Sequence, residues 1–536
     1  MHWYSADHRR RSHRIEAVLW IGVCIAGAAS TTVAQDPAAV IEDSIIKVVE
    51  LAEPAVVSIA RFKPSRIDPV PENPRPFRFE RQKRVERQKR DIDLLPNEFG
   101  AGCLVSPPNG SDRLVLTNFH VVRGGPVFPN YKTEDDDDME LLVSFSDRRG
   151  CRGAIIAADP RSDLAVLRLE WGEAGIKPSD FPSLNWETAT APRKGQFVVL
   201  LGNPHAIARD GSASVSWGLV SNLTRQPISH GRNQFLDEEE ATKGTMLYRL
   251  GAVMQLDARM NLGLSGGPVL NLKGELIGIG TSLAAIEGYE QSVGFALPID
   301  SLTRRIIRTL LAGQEVEYGM LGITPHEIGD EKFQNLKTGL PQRSAALVDK
   351  VTRGSPAENA RIVPNDVIVK VEGESVRSVM DLMRMVGLHP PDQEIDVTVW
   401  RNRTARLDTV RIKLGKWPVR DDEGIIETNP RYAPWRGLSV DYPTARNRFI
   451  EGLPDHRLVL VTRVKPNSPS DAVRLEPGNF ITHVNNISVQ TPAEFHAVVK
   501  AAVGPVTLRL LGNPLSDLAE DRHGRLVQVR EPAIRE

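Results

Sequence analysis

The chain has 536 residues, too many for one core and suited to about three or four domains. It is 41% hydrophobic and 25% charged, the make-up of an ordinary globular protein. Its 67 Lys plus Arg balance 68 Asp plus Glu, so no overall charge excess points to nucleic acid or to a membrane surface.

The N-terminus carries Arg9, Arg10, Arg11 and Arg14, then an apolar run from Ala17 to Ala29, then Thr32-Val-Ala34. That layout predicts a secretory signal over 1–34 and an exported protein, in the periplasm, the cell envelope or the medium; the run is short of the ~20 residues that span a bilayer. Cys24 leaves with the signal. Cys103 and Cys151 remain, and a disulfide and two buried thiols both stay open.

Glu42 to Ala52 has helical spacing, and Ala55 to Ala60 reads as a first strand. The stretch 63–98 is proline-rich, with Glu80-Arg-Gln-Lys-Arg84 recurring as Glu86-Arg-Gln-Lys-Arg90, and reads as a mobile basic insertion. From Gly100 to Pro298, short β-rich runs follow one another: Arg113–Thr117, Glu140–Phe145, Leu164–Leu169, Phe197–Leu201 and Glu275–Ile279. Many strands with few helices predict a barrel or a sandwich. Acidic clusters at Glu134 to Asp138 and Asp237 to Glu240 read as solvated loops. The consecutive carboxylates lack the alternate spacing of a calcium loop, so no metal is expected.

Asp300 or Ser301 caps a helix through Leu311 that Gly313 ends, with Leu302, Ile306, Ile307 and Leu310 on one face. Beyond it the chain repeats. Ser355-Pro356 matches Ser468-Pro469 at an offset of 113, and the same offset pairs Arg361 with Arg474, Pro364 with Pro477, Ile368 with Ile481 and Val371 with Val484. Two copies of one module are predicted, at 318–416 and 433–514, joined by a linker at 417–432 and followed by a polar tail at 515–536.

The chemistry centres on Asn261-Leu-Gly-Leu-Ser-Gly-Gly-Pro268, which sets Ser265 among glycines whose N–H groups can approach a carbonyl without side-chain obstruction. The segment also fits the GxSxG elbow of α/β-hydrolases, but those run Ser, acid, His along the chain, whereas candidates here lie upstream. Between the signal and Ser265 stand His120, His205 and His230. His120, at the end of a strand pattern, is the best base; His205 follows a turn and His230 lies in a polar loop. Asp163 precedes an apolar strand and is the candidate acid, while Asp159, before a proline, reads as a turn residue.

Thr117-Asn-Phe-His-Val-Val122, Asp159-Pro-Arg-Ser-Asp-Leu-Ala-Val166, Gly202-Asn-Pro204, Gly218-Leu-Val-Ser221, Gln255-Leu-Asp257, Ser265-Gly-Gly267 and Gly274-Glu-Leu-Ile-Gly278 together resemble the HtrA (DegP/DegQ-type) serine proteases, from about residue 40 to 512. The resemblance implies a mainly β protein: a chymotrypsin-like double β-barrel over 40–315, then two PDZ domains of α+β type. It implies His120 as general base, Asp163 as its orienting carboxylate, Ser265 as nucleophile, and the N–H groups of Gly263 and Ser265 as oxyanion hole. Leu321-Gly-Ile323 and Arg436-Gly-Leu438 would receive peptide C-terminal carboxylates. No cofactor is implied; the partners would be unfolded or misfolded polypeptides and peptide C-termini, and the chain would assemble as a trimer or larger homo-oligomer.

This sequence departs from the family pattern in places. Leu262 and Leu264 replace the usual proline and polar residue before Ser-Gly-Gly, so the oxyanion loop is either less pre-formed than usual or held by apolar packing. Gly280 stands where Asn is common, and with Met260 it suggests a pocket for small or medium aliphatic side chains. Arg436 occupies a position usually apolar. The competing reading is a catalytically impaired chaperone or scaffold acting through its PDZ modules.

Overall fold

The computed structural model describes residues 36–62, 98–108, 110–123, 140–174, 176–203, 212–225, 253–261, 263–281, 293–328, 342, 344–417, 432–442, 458–511 and 525–530. The signal segment, the basic insertion up to residue 97, both acidic clusters, His205, His230 and Leu262 lie outside them.

After helix α1 (Pro37–Ala52), strands Val56–Phe62 (β1), Glu98–Val105 (β2), Leu114–Thr117 (β3), Glu140–Phe145 (β4), Gly150–Asp159 (β5) and Leu164–Leu169 (β6) close a barrel in the order β1-β2-β3-β6-β5-β4. A short strand, Trp171–Ala174 (β7), follows. Strands Phe197–Gly202 (β8), Ser214–Arg225 (β9), Val253–Leu256 (β10), Pro268–Leu270 (β11), Leu276–Gly280 (β12) and Gly294–Pro298 (β13) close a second barrel, ordered β10-β13-β12-β11-β8-β9. The strand reading of the sequence therefore resolves to a double barrel. Closure leaves neither sheet an unpaired edge.

β6 shows why strict alternation was absent from the sequence. Leu164, Ala165, Val166 and Leu167 are all buried in succession, since the strand is covered by helix α3 (Ser301–Leu311) on the face that a free barrel would expose to water. α3 begins where Asp300 accepts the Thr303 N–H at 2.9 Å, a cap worth about 1 kcal/mol. Leu302, Ile306, Ile307 and Leu310 are buried, and Gly313 takes φ +69° just past the helix end.

The repeat holds in three dimensions. In the first copy Ile323–Glu327 (β15), Ala346–Val351 (β16), Val367–Val371 (β17), Glu394–Arg401 (β19) and Arg406–Lys413 (β20) form a sheet in that order, with Glu374–Ser375 (β18) beside β17. Gly319–Met320 (β14) pairs separately with Gly415–Lys416 (β21). Two helices, Pro356–Asn359 (α4) and Val379–Gly387 (α5), complete the copy. In the second, Leu438–Asp441 (β22), Val459–Val464 (β23), Phe480–Val484 (β24), Val506–Leu510 (β26) and Leu526–Val529 (β27) repeat the order, with Ile487–Ser488 (β25) and helix α6 (Pro492–Ala501) in the same places.

Backbone handedness repeats as well. Left-handed residues fall in pairs 113 apart: Gly354 and Asn467, Arg361 and Arg474, Asn365 and Gly478, Glu372 and Asn485, Gly373 and Asn486. Most are not glycine, so the turn geometry recurs even where the side chain changes. The first copy is fastened to α3 by Arg305, which donates to the carbonyls of Glu317 (2.9 Å) and Gly387 (2.8 Å), and by an Arg384–Asp300 ion pair.

Candidate active site

The pairing of β3 with β6, Thr117 opposite Ala165, sets the site. His120 lies three residues beyond Thr117 and Asp163 two before Ala165, so both emerge at the same end of neighbouring strands. The strand pattern before His120 stops at Thr117, and the histidine sits in the one-turn helix α2 (Phe119–Arg123) that follows. Its Nδ1 lies 3.0 Å from Asp163 Oδ1 and 2.8 Å from Oδ2, and its backbone N–H also donates to Oδ1 at 3.0 Å. Donation from Nδ1–H leaves Nε2 as the acceptor a nucleophile needs.

Asp163 is 3% exposed at the side chain and takes φ +55°, a left-handed conformation unusual outside glycine. Its carbonyl accepts Phe119 N–H (3.0 Å) and Asn118 Nδ2 (2.9 Å), which ties the turn to the segment bearing His120. Thr281 Oγ1 adds a 3.4 Å contact to Asp163 Oδ2. Thr281 was invisible to sequence reasoning, which stopped at Gly280; its place directly after β12 was the only signal.

Ser265 is buried in the β10–β11 loop. Its carbonyl accepts Ala101 N–H at 2.8 Å, Gly266 N–H donates to Gly280 at 2.9 Å, and Gly267 N–H donates to Leu264 at 3.0 Å. The loop is thus stitched to β2 and β12. A Cβ placed on Gly100 would lie 2.5 Å from Val121 Cγ2 and 3.1 Å from the Ser265 carbonyl, so the neighbour of His120 and the serine loop meet across this one glycine. Gly263 takes φ +95°, which accounts for a glycine there.

Leu264 is buried, and a Cβ on Gly202 would approach its Cδ2 to 2.9 Å. The leucine packs on β8, so apolar contact does hold this part of the loop. Met260 lies over both Gly280 and Gly294: a Cβ on the first would stand 2.8 Å from its Cε, and one on the second 2.9 Å from its Cγ. The two pocket candidates therefore adjoin, and Gly294, which the sequence did not single out, also lies against Met260. Cys103 and Cys151 are both buried thiols, with no disulfide between them.

The two carboxylate-loop candidates differ. In the first, Leu321 and Gly322 offer their carbonyls to Ala357 and Thr352 N–H (both 2.9 Å), and Gly322 has φ +78°. In the second, Arg436 and Gly437 are braced likewise by Ser470 and Lys465, but Leu438 N–H donates to Trp435 at 2.8 Å, so one loop amide is used internally. The Arg436 guanidinium donates to Val529 (2.6 Å) and Gly504 (2.7 Å) and lies over the Trp435 ring. It pins the last strand of its own module.

Comparison with known proteins agrees with this architecture. The family model described as trypsin-like peptidase domain matches residues 100–279, and the PDZ domain model matches 319–414. A protein of Hahella chejuensis named probable periplasmic serine endoprotease DegP-like is 29% identical over 87% of this chain and 91% of its own length. A protein of Bartonella henselae with the same name is 27% identical over 77% of this chain and 72% of its own. Among solved structures, the serine endoprotease from Yersinia pestis is 23% identical, covering 70% of this chain and 98% of its own, with a TM-score of 0.41. With its double barrel, its trypsin-like peptidase domain, its PDZ module and its likeness along most of its length to proteins named DegP-like serine endoproteases, the chain is a serine endopeptidase.

Proposed function

We propose that the protein is an exported endopeptidase that cleaves unfolded or misfolded polypeptides through Ser265, His120 and Asp163. The observation that carries this is the two-oxygen grip of Asp163 on His120 Nδ1 beside the stitched serine loop. His120 Nε2 takes the Ser265 proton as the hydroxyl attacks the scissile carbonyl; the oxyanion faces the N–H groups of Gly263 and Ser265; His120 then protonates the leaving amine and activates the water that releases the acyl group. Met260, Gly280 and Gly294 line a pocket for a small or medium aliphatic side chain. A periplasmic place follows the names of the relatives, and a trimer or larger assembly follows the family resemblance.

The arrangement proposed is a peptidase domain over 40–315, a PDZ module at 318–416 and a second from 433 through β27, whose pairing with β26 draws part of the expected tail 515–536 into the module. The intact His120–Asp163 pair weighs against a catalytically impaired scaffold. A fluorophosphonate probe should label one residue, Ser265, and abolish casein cleavage in step with labelling. Labelling elsewhere, or cleavage that survives complete labelling, would overturn the assignment.

Peptide C-termini bind the first module, adding as a strand to the edge β15 with the carboxylate at the N–H groups of Leu321, Gly322 and Ile323. Gly322→Val should weaken this at least ~10-fold, because the left-handed backbone disfavours any side chain and a Cβ would fall 2.3 Å from Ser355 Cβ. Fluorescence anisotropy with a free-acid peptide and its amide reads the effect; equal binding of the two would remove the carboxylate from the account. The second module, with Leu438 N–H and the Arg436 guanidinium already committed, binds such peptides more weakly.

A further inference from the structure

The turn that presents Asp163 is held from two sides, and only one belongs to the barrels. On the inner side Asn118 and Phe119 bind the Asp163 carbonyl. On the outer side the wholly buried Asp159 carboxylate accepts Ser162 N–H at 3.2 Å, Arg161 Nε at 2.8 Å and the phenol O–H of Tyr318. Arg161, 1% exposed, reaches on to the Val316 carbonyl at 2.5 Å and lies 4.8 Å over the Tyr318 ring. Arg305 lies 5.4 Å over the same ring, and Glu315 Oε1 is 4.0 Å from Arg161.

Burying an ion pair and a phenol in one place is costly unless every member is satisfied. Tyr318 supplies the donor that reaches Asp159 Oδ2 from outside the turn. Burial pushes its phenol well above the ordinary range, so it stays a donor at working pH. Yet Tyr318 follows α3 and directly precedes Gly319, three residues before the Leu321 to Ile323 loop.

We infer that Tyr318 is a positioning residue for the peptidase centre: through Asp159 and Arg161 its hydroxyl fixes the turn that aims Asp163 at His120 Nδ1. The left-handed Asp163 backbone is why such a brace is required, since a residue in that conformation relaxes towards commoner angles unless its neighbours hold it. The peptidase centre is thereby completed by the segment that leads into the first PDZ module. The inference rests on the Ser265–His120–Asp163 reading.

The test is the second-order rate of Ser265 modification by a fluorophosphonate, which needs the catalytic base but no bound peptide, in the full chain carrying Tyr318→Phe. The expected result, measured well below the thermal midpoint, is a rate and a kcat on casein lowered on the order of 10- to 100-fold with KM unchanged; the midpoint itself falls, because the buried Asp159 carboxylate loses a donor. Tyr442→Phe, which removes another phenol bonded to a carboxylate, that of Asp392, should leave the rate as in wild type. If Tyr318→Phe does not fold, Asp159→Asn tests the same link and should slow labelling equally. Wild-type labelling at Ser265 with an undiminished rate in the folded Tyr318→Phe or Asp159→Asn protein overturns the inference while leaving the triad standing; absence of wild-type labelling overturns both.

Discussion

Ser265→Ala should lower kcat for unfolded-protein cleavage on the order of 10^6-fold without altering the thermal midpoint. The side chain is small and buried in a loop held by backbone bonds to Ala101 and Gly280, neither of which involves the hydroxyl. His120→Ala should cost about as much, and the double variant little more, because nucleophile and base act as one unit. The measurement is casein turnover beside a melting curve for each variant. A double variant much worse than either single one would mean that the two residues serve separate steps.

Gly266→Ala is the second large effect, and it works through sterics. Gly266 has φ +82°, and a Cβ there would fall 2.1 Å from the Ala101 carbonyl oxygen and 2.3 Å from Thr117 Oγ1. Neither neighbour can yield cheaply, since Thr117 Oγ1 already donates to that same carbonyl at 2.7 Å and both lie on paired strands β2 and β3. Backbone strain and overlap together should cost on the order of 3–5 kcal/mol. Cleavage should be lost with a lowered midpoint, in contrast to Ser265→Ala, which loses cleavage alone. An alanine variant that melts like wild type would show that the loop can move away from β2.

The proposed triad could be picked out because each member sits in a local pattern of the sequence: Ser265 among glycines, His120 after an apolar strand, Asp163 before one. Chain order then separated this arrangement from an α/β-hydrolase. Both copies of the module were legible through one offset, and the left-handed turns now give that offset a backbone meaning. What escaped was contact between distant segments. Thr281 and Tyr318 look like ordinary residues beside glycines, and their roles arise only where β12 and the α3–β14 connection meet the β5–β6 turn. Arg436 could be noticed as an odd residue in its loop, but its partners Gly504 and Val529 come from 68 and 93 residues further on.

The two buried cysteines bear on how the chain matures. Cys103 is wholly enclosed in β2, burial pushes its thiol far above the ordinary range, and Cys151 is equally sheltered in β5. A thiol kept protonated and out of reach of solvent neither exchanges nor oxidises readily. The first barrel therefore closes by strand pairing and packing, without a disulfide between these two cysteines. Once folded, it should be indifferent to the redox poise of whatever compartment receives it, and its yield should not depend on an oxidant or a disulfide isomerase.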